Sequence, residues 1–359
     1  MDLKIFTNNI ADNARAQVHT LMEQDAFKNA KVRIMPDVHV GIGSVIGFTG
    51  NLGDKVIPNV VGVDIGCGML TIEIANENLD FLHIDTMIHT FVPSGFKIHR
   101  RPQMLPFPLS DLIVFPELKN VDRIEASVGT LGGGNHFIEI GKSADDRYFL
   151  VIHTGSRNLG KQVADLYQKK AIAYAKKNQI QIPRDLAYLE GQLKDDYLHD
   201  MRLTQKYAQA NRARIAEIII AKCGLRELDR FETVHNYIGD DNIVRKGAIS
   251  AYKGERVLIP INMRDGSLYG IGLGNPDWNY SGPHGAGRLL SRRQAREQLR
   301  LSEFKKDMDG IYTTSVAPGT IDESPRAYKD MQEIIDNLHE TIKILFVIKP
   351  LYNFKAVGD

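Results

Sequence analysis

The chain has 359 residues, 43% of them apolar and 25% charged, with a net charge of +1. That suits a globular protein of one large domain or two to three smaller ones. The near-neutral charge excludes a polycation that binds nucleic acid through bulk electrostatics, so any such affinity rests on local basic patches. No apolar run reaches membrane-spanning length and Met1–Ile10 lacks the apolar core of a secretory leader. Two distant cysteines, Cys67 and Cys223, make no disulfide framework, so a cytoplasmic location without membrane contact is expected.

Taken in chain order, residues 10–30 read as an amphipathic helix. A short strand over Val32–Met35 ends at Pro36-Asp37-Val38-His39, and Gly41, Gly43, Gly47, Gly50 and Gly53 then mark an irregular stretch. Val60–Val63 reads as a buried strand stopping at Asp64, with Met69–Ala75 continuing it. Prolines make 92–110 a loop or insertion. Leu150–His153 is a strand, and helices follow from Gly160 to about Lys177 and over roughly 184–222. Arg256–Ile261 and Ser267–Leu273 resemble strands, and 284–300 and 326–344 resemble helices. Without repeats or a dividing linker, the pattern predicts an α/β (α+β) fold. It would be a single large domain over 1–359 with a central mixed sheet, flanking helices and glycine-rich loops that form the site. Loop insertions are expected near 92–120 and a mostly helical segment near 160–222.

The polar ends of these elements collect histidine and glycine. His39, His136, His153, His235 and His284, five of the eleven histidines, sit beside glycines or at strand ends. A single such histidine is most simply a hydrogen-bonded loop or core residue, but repeated His–Gly settings let backbone and ligand approach closely. Val61-Gly-Val-Asp64-Ile-Gly-Cys67-Gly68 puts a carboxylate and a thiol three residues apart after an apolar strand. With nearby imidazoles this set suits a borderline metal such as zinc, manganese, iron or cobalt. A buried apolar Cys67 and a turn-capping Asp64 explain the spacing equally well. Gly129-Thr-Leu-Gly-Gly-Gly-Asn135-His136 offers backbone N–H groups to phosphate, though it matches neither a Walker A loop nor a dinucleotide fingerprint. Arg288, Arg292, Arg296 and Arg300 would form one stripe on a helix beginning near His284. Arg288 is favoured for phosphate, and the distal arginines read as a solvated face with Arg293 paired to Glu297.

Val-Gly-Val-Asp-Ile-Gly-Cys-Gly-Met, Gly-Thr-Leu-Gly-Gly-Gly-Asn-His-Phe, His-Thr-Gly-Ser-Arg-Asn-Leu-Gly, His-Asn-Tyr, Arg-Lys-Gly-Ala and His-Gly-Ala-Gly-Arg occur in that order. Together they resemble the RtcB family of tRNA-splicing and RNA-repair ligases, from about Pro36 to Lys349, and the modest length suggests a short repair-type paralogue. The resemblance implies two manganese ions bridged by Cys67, with Asp64 and His136 completing one site and His153 and His235 the other. It implies that His284 is the nucleophile that takes GMP from GTP. Asn135, His136, Phe137, Glu139, His235, Asn236, Pro260, Asn262, Met263, Ser267, Gly285, Ala286, Gly287, Tyr328 and Lys349 would then surround the nucleotide. Glu139 and Lys349 would read guanine, Tyr328 would pack on the base, and Arg157 and Arg288 would hold phosphates. The implied partners are RNA with a 3′-phosphate or 2′,3′-cyclic phosphate, RNA with a 5′-hydroxyl, and an archease-type activator.

Two departures bear on this. The family pattern Pro-Gly-Ser-Met-Gly-Thr is replaced by Pro260-Ile261-Asn262-Met263-Arg264-Asp265, and Pro350–Asp359 extends beyond Lys349 where family chains tend to stop. The main rival is a dinuclear metal-dependent phosphohydrolase or nuclease that uses the same ligands and needs no nucleophilic histidine. A non-catalytic RNA-binding protein is a third reading, weakened by the complete candidate ligand set.

Overall fold

A computed structural model describes residues 2–75 and 78–356. Seven strands form one sheet in the spatial order Arg256–Asn262, Gly266–Gly272, Ile342–Lys355, Phe137–Lys142, Tyr148–Thr154, Gly68–Ile74 and Glu227–Val234. Every neighbouring pair in it is antiparallel. A second sheet runs Asp2–Ile5, Lys31–His39, Ile46–Asn51, Ile243–Lys246 and Asn236–Ile238, and only its first pair is parallel. The fold is therefore α+β in one domain, and among the described strands parallel pairing is confined to the edge pair Asp2–Ile5 and Lys31–His39.

Helices cover these sheets with apolar stripes at helical spacing. Arg157–Lys177 buries Leu159, Val163, Ala164, Tyr167, Ala171 and Ala175. The 32-residue helix Gln192–Cys223 buries Leu198, Met201, Ala208, Ile215 and Ile219 and stops at Gly224, whose φ of +63° suits a helix C-terminus. Residues 92–120 are mostly irregular, with short helical turns at Leu109–Asp111 and Phe115–Glu117.

Several elements differ from the sequence-based expectation, each for a local reason. The first helix is Asp12–Met22 and then gives way to a 3-10 turn at Asp25–Phe27. Part of the glycine-marked stretch is a strand, Ile46–Asn51, paired with Lys31–His39; at Gly47, with φ +87°, a side chain would press on Asp37 and Val38. Val60–Val63 is no strand: Pro58–Val60 is a 3-10 turn and Gly62 has φ +101°. The helix expected over 284–300 begins only at Arg292, where Ser291 and Gln294 form a capping box, so His284 lies in extended and irregular backbone. Of 326–344, only Met331–Asp336 is α-helical, with a 3-10 turn at Pro325–Ala327 before it. Residues from Ile342 onward form a strand instead, because two neighbouring strands take up the backbone groups of that β-branched run.

Candidate active site

The ends of three strands and one tight turn converge on a buried cluster. Asp64 and Cys67 lie in the turn before Gly68–Ile74, His136 at the start of Phe137–Lys142, His153 near the end of Tyr148–Thr154, and His235 just after Glu227–Val234. Cys67 Sγ is 3.3 Å from His153 Nε2 and 3.6 Å from His136 Nε2. His153 Nε2 faces His235 Nε2 at 3.3 Å, and Asp64 Oδ2 lies 3.1 Å from His136 Nε2. Two groups of potential ligand atoms, Cys67/His153/His235 and Asp64/Cys67/His136, each lie within 4.8 Å, and they share the sulfur.

The outer atoms of His136, His153 and Asp64 are tied down, whereas His235 Nδ1 is buried with no hydrogen-bond partner among the described residues. His136 Nδ1 lies 2.9 Å from Leu131 O, and His153 Nδ1 lies 3.2 Å from Asn135 O, so each donates outward and presents a bare Nε2 to the centre. Asp64 Oδ1 accepts from Ser156 N and Oγ, leaving Oδ2 inward. Burial opposes the Asp64 charge, but His136, Arg157 and Ser156 outweigh it and hold the carboxyl pKa down to about 2. Burial, followed by neighbouring imidazoles, lowers His153 and His235 well below the usual histidine range. Burial and then the Asp64 charge push the Cys67 thiol up. His153 Nε2 and His235 Nε2 face one another at 3.3 Å, close enough for both to serve one cation. A carboxylate, a thiol and three imidazoles whose Nε2 atoms face inward fit one or two borderline metal ions.

His284 stands beside this cluster, its ring centroid 4.8 Å from that of His235. Its Nδ1 lies 2.6 Å from Asp37 Oδ2, which also accepts from the His284 backbone N–H at 3.1 Å. Asp37 is fully buried. The carboxylate fixes the proton on Nδ1 and leaves Nε2 as an oriented lone pair, the arrangement a nucleophilic or basic imidazole needs.

A cleft of about 270 Å³ opens from His284. Its lining includes Asn135, Phe137, Glu139, His153, Pro260, Asn262, Met263, Ser267, Gly285, Ala286, Gly287, Arg288 and Tyr328, all singled out from the sequence. Arg288 spans Glu323 and the Tyr328 hydroxyl, with its guanidinium 4.9 Å from the centre of the Tyr328 ring. Glu139 is 2% exposed, and burial pushes its carboxyl up to about 8 against the Asn353 hydrogen bond and the Lys355 charge. Asn262 Oδ1 accepts from the backbone N–H groups of Arg264 and Asp265, and those two side chains pair with each other outside the cleft. The altered loop is thus a side-chain-capped turn that still presents Asn262 and Met263 inward.

The profile of the tRNA-splicing ligase RtcB family matches residues 17–106 and 116–356. An RNA-splicing ligase RtcB of Escherichia coli K12 is 30% identical, the match covering 99% of this chain and 97% of that protein. A tRNA-splicing ligase RtcB of Archaeoglobus fulgidus is 28% identical over 89% of this chain and 86% of its own, and one from Nanoarchaeum equitans is 28% identical over 90% and 87%. The chain belongs to the RtcB family of RNA ligases.

Within this RtcB-family structure, three expected positions fall elsewhere. Lys349 is exposed and pairs with Lys142, on the opposite face of the strand from Glu139. A bulge between Pro350 and Tyr352 changes the facing of the residues beyond it, so the lysine at the cleft is Lys355, paired with Glu323. Part of the tail noted after Lys349 is this same strand; residues 357–359 lie outside the described residues. Arg157 is outside the cleft: it bonds Gly95 O and Thr130 Oγ1, and its guanidinium fills the space where a Gly132 side chain would stand. Asn236 also stays outside, donating to Asp64 O and accepting from Gly247 N.

The supposed arginine stripe is broken, since Arg288 precedes the helix and Arg300 caps the next one. Arg292 and Arg296 converge on buried Asp322 instead, and Arg293 pairs with Glu297 as expected. Asp37, His39, Arg292, Glu323, Asn353 and Lys355 complete the site. Of these, Asp37 and His39 carried a local signal as the Pro-Asp-Val-His motif before glycines, and Arg292 one as a member of the arginine run after His284.

Proposed function

We propose that this protein is a GTP- and manganese-dependent RNA ligase. It would join ends bearing a 3′-phosphate or 2′,3′-cyclic phosphate to 5′-hydroxyl ends through a guanylate carried on His284. The observation that carries this reading is the Asp37–His284 pair. It gives a partly buried imidazole whose Nδ1 is anchored at 2.6 Å and whose Nε2 has no hydrogen-bond partner among the described residues, set between a metal-type donor cluster and a nucleoside-sized cleft. A phosphohydrolase that activates water has no need of that histidine.

Asp64, Cys67, His136, His153 and His235 would hold two divalent ions, which when bound neutralise phosphate charge. Glu139 and Lys355 would hold the base, with the carboxylate accepting N–H groups of guanine and the ammonium donating to O6 or stabilising the Glu323 side of the cleft. Tyr328 and Phe137 supply apolar and aromatic surface. His284 Nε2 attacks the α-phosphorus, the bond to the β-phosphate oxygen breaks and pyrophosphate leaves, while Asp37 stabilises the imidazole as it gains positive charge. A 2′,3′-cyclic phosphate is first opened by water, which breaks the bond to the 2′-oxygen and leaves a 3′-phosphate; that 3′-phosphate then displaces His284 from phosphorus, which gives RNA-3′-pp-5′-G. Attack of the 5′-hydroxyl on the RNA phosphorus forms the new diester and releases GMP.

His284→Ala tests this. With GTP labelled at the α-phosphate, the wild type is expected to yield an acid-labile adduct and the variant none. The variant should bind manganese normally and still seal RNA supplied as RNA-3′-pp-5′-G. Loss of metal binding in the variant, or failure on the pre-activated RNA, would sink the assignment.

A further inference from the structure

Asn353 sits on the Ile342–Lys355 strand opposite Glu139 in the register, is 1% exposed and lines the cleft. Its Nδ2 donates to Glu139 Oε2 at 2.9 Å. A carboxylate offers only acceptors on that side, which orients the amide with its carbonyl Oδ1 away from Glu139. Asn353 Oδ1, Glu139 Oε1 and Ser267 Oγ are all buried and have no hydrogen-bond partner among the described residues. Three such atoms on residues lining one cleft call for a ligand, because buried polar atoms are seldom left unmatched. Asn353 Oδ1 can only accept, and so can Glu139 Oε1 once the carboxyl is ionised, so a ligand that brings neighbouring N–H donors matches both.

We propose that Asn353 is a specificity-determining residue whose Oδ1 accepts a hydrogen bond from the 2-amino group of guanine. This rests on the GTP reading above and adds a second reader to Glu139. The guanine edge presents N1–H beside an exocyclic amine with two N–H bonds. Glu139 Oε1 takes one neighbouring pair of these in reach, while Oε2 is already shared with Asn353, so the remaining amine N–H needs its own acceptor. Hypoxanthine keeps N1–H and O6 but has no 2-amino group, and adenine presents neither N1–H nor O6. Glu139 therefore separates guanine from adenine, and Asn353 separates guanine from hypoxanthine.

The test compares adduct formation by the full-length protein from α-labelled GTP, ITP and ATP in the presence of manganese. The wild type is expected to favour GTP over ITP about five- to tenfold, the worth of one hydrogen bond, and to leave ATP unused. Asn353→Leu keeps the volume and removes the amide, and should bring the GTP:ITP ratio close to one while ATP stays unused. Asn353→Ser gives the same result should the leucine variant fail to fold. A folded variant that retains the wild-type ratio, or a wild type indifferent between GTP and ITP, overturns the role of Asn353 alone. Equal labelling by ATP, or labelling by none of the three, overturns the guanine-site reading and this proposal with it.

Discussion

His284 has no reason in its own motif to be a good nucleophile; the reason is Asp37, buried and 247 positions away in sequence. Asp37→Asn keeps the size but makes that partner a group that can donate, which favours the wrong imidazole tautomer. Adduct formation is expected to fall by about a hundredfold or more, as in other His–carboxylate pairs, with manganese affinity unchanged; a rate within threefold of wild type would remove Asp37 from the mechanism.

Glu139 supports a pH prediction. Burial raises its carboxyl to about 8, above the ordinary 4.5, so the free protein holds a proton there throughout the neutral range. Accepting guanine N–H groups requires the carboxylate, so guanosine affinity should rise with pH up to about 8 and then level off. The same raised value makes this group's contribution to stability fall as pH climbs from 4.5 towards 8, where the folded state binds the extra proton. Calorimetric titration of guanosine from pH 6 to 9 checks the first point, and Glu139→Gln should show a flat profile.

The 32-residue helix Gln192–Cys223 governs the loops that carry the metal-type ligands. Asn211 accepts from the N–H groups of Gly129 and Thr130 and donates to Thr130 O and Gly155 O. The next residue, Arg212, reaches Gly66 O and Thr154 O and pairs with Glu232. Two neighbouring side chains thus tie together the loops bearing Asp64, Cys67, His136 and His153. Asn211→Ala leaves buried N–H and C=O groups unmatched and should cost about 2–3 kcal/mol of stability. Metal affinity should drop as well, although Asn211 touches no ligand atom. Chemical denaturation together with manganese titration would show both effects, and a loss of stability without a loss of affinity would mean the loops hold their own shape.

Across the whole molecule, the five candidate ligands come from separate stretches between residues 64 and 235, so an ion held there cross-links distant parts of the chain. Binding that exists only in the folded state stabilises it by about 2.7 kcal/mol at a hundredfold excess over Kd, or several degrees in Tm. A chelator should therefore lower the Tm of the metal-loaded protein by roughly 5 °C. It should leave the Tm of Cys67→Ala unchanged, because the shared sulfur is gone. Equal chelator effects on both proteins would show that Cys67 is not a ligand.

The sequence by itself determined the parts of the site that are local: glycine-flanked histidines, Asp64 three residues before Cys67, and the run from Pro260 to Ser267. Close backbone approach leaves a mark in composition, because glycine is needed wherever a turn has positive φ or a side chain would collide, as at Gly132 against Arg157. It also carried the long helices, whose apolar spacing is strong over many residues. What only the tertiary structure decided is which atoms face one another. Lys349 and Lys355 both lie on one strand, and a bulge at its middle, set by pairing with a distant strand, turns Lys355 and not Lys349 towards the cleft. Asp37, Glu323 and Asn353 acquire their roles from partners far away in the chain, and no spacing rule records a contact of that kind. The 342–355 segment shows the same limit for secondary structure, since two flanking strands and no local preference alone made it the middle of a sheet.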